Sequence, residues 1–157
     1  MASTMMRKSS ARPTAQEYLE GVRASVIRLE QLKDKVQMLG ARLDGVSGID
    51  YSRDRVKASS AGDVMERRVM LYQDATRELE EHEAYCAALL DQAAGMLRKM
   101  QMEGCQAWIC DSLEYYFLWG MSSREIAQMM HVSESHLRNL RREALAVSDE
   151  FVPLDAA

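Results

Sequence analysis

The sequence predicts an all-α protein: a long antiparallel helical hairpin of coiled-coil type, followed by a trihelical head that carries a helix-turn-helix. Three observations predict it. Apolar residues recur at alternating steps of four and three from Tyr18 to Leu43, and again from Met65 to Met100. Two short, separately capped helical patterns then abut between Ser122 and Leu145. Finally, no stretch alternates with the period of two that a half-buried strand requires.

Residues 1–13 carry Arg7, Lys8 and Arg12 before the first acid, Glu17, and read as a flexible amino-terminal tail. The first helix starts at Thr14. Its seam comprises Tyr18, Val22, Ser25, Leu29, Leu32, Val36, Leu39 and Leu43, with Ser25 as its only polar member. Glu20, Arg23, Arg28, Glu30, Lys33, Asp34 and Lys35 form a mixed-charge surface around it. Such a seam serves equally as the core of an intramolecular bundle or as an intermolecular zipper.

Residues 44–62 break the pattern with three Gly and four Ser, and read as the connection between two helices. Ordered loops this long are often functional, and this one carries Tyr51, Arg53, Arg55 and Lys57. The favoured role is packing, with Ile49 and Tyr51 tucked inward, ahead of contact with phosphates or a partner. A second long helix is expected from Asp63, as its cap, to near Met102. Its seam is Met65, Val69, Tyr72, Thr76, Leu79, Glu83, Cys86, Leu90, Ala93, Leu97 and Met100. Residues 14–103 thus form the hairpin, with Leu71, Leu89 and Met96 left over as apolar surface to recruit a second copy.

Residues 104–147 form the head. Cys105 to Trp119 read as a supporting helix with Ile109, Leu113, Tyr116 and Phe117 inward and Gly120 as its stop. Ser122 stands three residues before Glu125, the spacing of a reciprocal capping box, with Met121 and Ile126 placed to staple across it. Ser133 repeats the cap for the next helix. Ile126, Ala127, Met130, Val132, Leu137, Leu140 and Ala144 then face inward, which leaves Ser135, Arg138, Asn139 and Arg142 on the opposite stripe. Arg pairs bidentately with guanine and Asn with adenine, so that stripe is equipped for major-groove readout. Ser135, Arg138 and Asn139 are the candidate base contacts. Arg124, Arg141 and Arg142 are the candidate phosphate contacts, aided by the positive amino end of the helix. Residues 148–157 read as a flexible carboxyl tail.

Several segments carry a family resemblance: Leu113 to Gly120 (LEYYFLWG), Ser122, Glu125-Ile126-Ala127, Val132-Ser133 and Leu137 to Leu145. These resemble region 4 of sigma-70-type factors. Upstream, Ile27-Arg28-Leu29-Glu30, Lys35-Val36 and Gly45 to Ser52 resemble small prophage proteins of Gram-positive bacteria with a sigma-like carboxyl end. The resemblance implies binding of promoter or phage DNA. The chain departs from the pattern at His131, where the turn usually carries Gly, and at Tyr116, where Arg is frequent. A strained turn and modest affinity are the expected consequences.

The chain has 157 residues, 47% of them hydrophobic and 28% charged, which is a globular composition. A formal charge of −4 argues against indiscriminate coating of nucleic acid, so DNA binding is expected to be local. Arg138, Arg141 and Arg142 stand against the one acid Glu134 between His131 and Arg142. One such patch binds weakly, which favours a homo-oligomer, a dimer first, or a partner protein. Three cysteines, Cys86, Cys105 and Cys110, without a secretory signal read as reduced thiols in a cytoplasmic protein, and their spacing fits no zinc pattern. No apolar run approaches the ~18 residues of a membrane span. There is no phosphate-cradling loop and no paired nucleophile and base, so the expected protein is not an enzyme and holds no metal or cofactor. The expectation is a sequence-specific transcriptional regulator of phage type that binds double-stranded DNA. Its rivals are a phage assembly protein such as a terminase small subunit, and a sigma-like factor gripping RNA polymerase.

Overall fold

The computed structural model describes residues 12–46 and 58–156, and the described residues are helical with no strand. The elements are α1 (Ala15–Val46), α2 (Ala58–Met102), α3 (Ala107–Leu113), a turn of π-helix (Glu114–Leu118), α4 (Ser123–Met130), α5 (Glu134–Ala146) and a 3₁₀ turn (Asp149–Phe151). They divide into two compact units, Met1–Val26 with Ala87–Ala157, and Ile27–Cys86. Both α1 and α2 contribute to each.

In the first unit, α1 starts where Thr14 Oγ1 accepts the amide of Glu17 at 3.2 Å, satisfying one of the donors that a helix start leaves open. A second open donor, the Ala15 amide, is taken by the Asp149 carboxylate at 2.8 Å. Ala15, Leu19 and Val22 of α1 pack with Ala93, Met96, Leu97 and Met100 of α2, with Leu113 at the end of α3 and with Phe117 of the π turn. α2 stops at a turn in which Gly104 takes φ 113°, and Cys105 N donates to Met100 O at 3.0 Å.

The carboxyl end differs from the flexible tail expected over 148–157. Val152 is 1% exposed within the main core, its carbonyl accepts from Arg12, and Asp155 accepts from Gln92 at 2.9 Å. A fully buried valine contributes roughly 1.5–3 kcal/mol, and Asp149 adds a charge at the positive end of α1. Apolar and capping contacts therefore fix a segment whose composition alone reads as loose. Of the tail expected over 1–13, residues 1–11 lie outside the described residues.

In the second unit, Arg28 and Lys35 of α1 reach the same Glu78 carboxylate of α2, at 3.0 and 4.0 Å. Gly40 lies so close to the Tyr72 ring that an added Cβ would stand 3.3 Å from it. The connection expected over 44–62 is shorter, since α1 continues to Val46 and α2 begins at Ala58. Asp63 is thus an interior helical residue and not the cap. Residues such as Asp44, Asp63 and Gly62 have low helix propensity, but extension of a long helix adds one backbone bond for each residue fixed. The readings placed on Ile49, Tyr51, Arg53, Arg55 and Lys57 lie outside the described residues.

The first seam is partly enclosed. Val22 and Leu32 are buried, whereas Leu29, Val36, Leu39 and Leu43 are half-buried. On α2, Ala75 is buried beside the expected Thr76, whose hydroxyl donates to the Tyr72 carbonyl at 2.8 Å, and Glu83 is exposed. Met96 is 2% exposed and belongs to the core, which corrects its assignment to free surface; Leu89 packs against the same core, while Leu71 remains exposed. No helix among the described residues is long and apolar enough to cross a membrane.

Candidate nucleic-acid interface

α4 starts with the reciprocal pair that its sequence calls for. Glu125 N donates to Ser122 Oγ at 3.2 Å, and Ser122 N donates to Glu125 Oε2 at 3.4 Å. The helix ends at His131, which takes the left-handed conformation (φ 57°, ψ 42°), the only non-glycine with positive φ among the described residues. The His131 amide donates to Ala127 O, as does that of Val132 at 3.1 Å, and the chain then turns into α5. There Ser133 Oγ accepts from His136 N at 3.1 Å. Three residues, 131–133, thus separate the two helices.

Two anchors hold α5. Near its start, Leu137 packs with Ile126 and Ala127 of α4, flanked by Met121, Met130 and Val132, in a small cluster. Near its end, Leu145 is buried in the main core, with Ala144 packed against it. Leu140 is half-buried and lines a cleft on the rear of α5 with Glu143 and Ala144.

With those faces inward, Ser135, Arg138, Asn139 and Arg142 are all exposed along one stripe. Arg138 Nη2 lies 2.6 Å from Glu134 Oε1, and Arg142 Nη2 donates to Asn139 Oδ1 at 3.3 Å. Exposed pairs one helical turn apart are worth ~0.3–0.5 kcal/mol, so a base edge or phosphate can displace them cheaply. Of the candidate phosphate contacts, Arg124 and Arg142 are exposed.

Arg141 is placed differently. It is half-buried, donates to Ser123 Oγ at 2.9 Å, and sets its guanidinium carbon 3.7 Å from the centroid of the Tyr116 ring. Burial pushes its pKa below the usual guanidinium value; Tyr116 opposes that shift, and Arg23 and Arg138 add to it. The Tyr116 ring and Ser123 thus hold this side chain against the π turn and the start of α4. Of the three arginines expected at phosphates, Arg141 is the one that already has an internal partner.

A second arginine approaches the same ring. Arg23 of α1 holds its guanidinium carbon 3.9 Å from the Tyr116 centroid and donates to the carbonyls of Tyr116 and Met121, the latter at 2.9 Å. Sequence gave no signal for this contact, because Arg23 reads as one charge among seven on a solvated helix face. Beside it, Gln16, Glu20, Tyr116, Arg138, Arg141 and Arg142 line a cleft of about 210 Å³ in which three guanidiniums face one carboxylate. Trp119 is 61% exposed, with Tyr115 edge-on at 4.9 Å.

No disulfide joins Cys86, Cys105 and Cys110, and no group of three or more metal-ligating side chains gathers among the described residues. Comparison with protein families, with curated proteins and with solved structures finds no match for the chain.

Proposed function

We propose that the chain is a non-enzymatic, sequence-specific DNA-binding regulator of phage type, working in the cytoplasm. α4 and α5 act as a sigma-70 region 4-like helix-turn-helix, and the paired stretches of α1 and α2 act as an antiparallel hairpin for dimerisation or partner docking. The observation that carries this reading is the division of α5: Leu137 and Leu145 anchor it, while Ser135, Arg138, Asn139 and Arg142 stand open on one stripe. Ser135, Arg138 and Asn139 meet base edges, and Arg124, Arg142 and the positive amino end of α5 hold phosphates. The exposed Val64, Val69, Met70 and Leu71 on α2 favour a second copy as the partner of the hairpin.

Selection of bound duplexes from random DNA tests the proposal. The wild-type protein enriches one short motif. Arg138→Ala relaxes preference at one base pair by about 1–3 kcal/mol, whereas Arg142→Ala weakens all sequences alike and lowers the salt slope by about 1. Folded protein that enriches no motif contradicts the proposal and moves weight to the polymerase-gripping and packaging readings.

A further inference from the structure

We infer that Arg23 and Tyr116 are positioning residues for the DNA-facing stripe of α5, acting through a guanidinium–aromatic–guanidinium stack that fixes the rotation of α5 about its own axis. The inference rests on the DNA-binding reading of that stripe.

The stack is built from four elements. Two planar guanidiniums whose carbons lie 3.9 and 3.7 Å from one ring centroid cannot share a face without overlapping, so Arg23 and Arg141 bracket Tyr116. Arg23 reaches across from α1 and also takes the carbonyls of Tyr116 and Met121, on either side of the turn that Gly120 makes at φ 72°. Gly120 in turn leaves only 3.4 Å between its missing Cβ and Val26 of α1. On the other face, Arg141 bridges from α5 to Ser123, the first residue of α4, which is itself buried. The ring thus sits at the junction of α1, the π turn, α4 and α5.

The physical consequence concerns angle rather than affinity alone. Leu137 and Leu145 hold α5 at two points along its length, but apolar contacts are non-directional and tolerate rolling of the helix. Arg141 lies next to Arg142 and one turn from Arg138, so whatever holds its planar fork also sets where the neighbouring stripe points. Neither Arg23 nor Arg141 has a carboxylate partner among the described ion pairs, so their attraction to the ring is not diluted by a closer anion. Base readout depends on bidentate geometry, and small misplacements of such groups are costly.

The test compares Tyr116→Phe with Tyr116→Leu in the full chain, reading DNA affinity by fluorescence anisotropy and amide hydrogen exchange along α5. The Phe variant keeps the ring face and binds the selected duplex within about twofold of wild type. The Leu variant, with the circular dichroism of the folded protein, binds it about tenfold more weakly, equivalent to ~1.4 kcal/mol. Its amides over 134–142 also exchange faster. If the Leu variant does not fold, Arg23→Lys replaces it, since Lys keeps the charge but cannot stack or fork and weakens binding in the same direction. Unchanged exchange over α5, or equal damage from Phe and Leu, overturns the inference. A wild-type protein that binds no duplex, yet whose α5 exchange responds to Leu and not to Phe, leaves the positioning intact and sinks the DNA-binding reading instead.

Discussion

Replacing His131 with glycine should stabilise the protein. His131 closes α4 at φ 57°, and a left-handed residue with a Cβ costs roughly 1–2 kcal/mol. Glycine removes that cost but brings a more flexible unfolded chain, worth about 0.5–1 kcal/mol in the opposite direction. The side chain is exposed and the hydrogen bonds at this turn are made by backbone amides, so nothing else is lost. The net gain is about 0.5–1 kcal/mol, which for a chain of this length raises the melting temperature by about 1–4 °C. Both tryptophans, Trp108 and Trp119, lie in the same compact unit as the turn, so intrinsic fluorescence reports its unfolding. A β-branched control, His131→Val, lowers the melting temperature, because it tolerates positive φ worse than histidine does. An unchanged or lowered value for His131→Gly would refute the strain argument.

Three further outcomes follow from the packing. Leu137→Ala empties the small cluster between α4 and α5 and costs about 2–5 kcal/mol, read as loss of amide protection in both helices ahead of the remainder of the unit. Val152→Ala destabilises the main core by about 1–2 kcal/mol in denaturant titrations, whereas a loose carboxyl tail would leave the midpoint unmoved. The Cys110 thiol is pushed up from 9.0 to about 12, chiefly by burial and then by its hydrogen bond with Cys105. It therefore resists alkylation near neutral pH while half-buried Cys105 is modified. Because its folded value lies above the unfolded one, its contribution to stability is complete below pH 9.0 and is lost as pH climbs to about 12. Equal labelling of the two thiols near neutral pH contradicts this arrangement.

Local features of the head were legible in the sequence because each is decided within one helical turn. Ser122 with Glu125, Ser133 with the His136 amide, and the leucine at 137 opposite the polar stripe all stand as their spacing requires. The strain at His131 is legible only through the family resemblance, as the place where the turn usually carries Gly. What escaped the sequence depends on contacts between distant residues. Asp149 caps a helix that begins 134 positions earlier, and Arg23 meets a carbonyl 93 positions later. No periodicity reports such pairs. α2 starts earlier than its sequence pattern suggests for a different reason: Gly62 and neighbouring serines read as a break, yet a long helix absorbs a few poor formers once nucleated. Helical projection places Leu137 inward and the polar stripe outward on α5, but it does not yield Leu145 in place of half-buried Leu140 as the second anchor, nor the aromatic ring that waits beside Arg141.

The central claim, that the open stripe of α5 meets DNA, is tested most directly by nuclear magnetic resonance of the labelled protein titrated with a selected duplex. The account predicts that the largest amide and side-chain shifts fall between Ser133 and Arg142, with Arg138, Asn139 and Arg142 foremost. Shifts confined to the Ile27–Cys86 unit, or none at duplex concentrations that saturate binding, would contradict it.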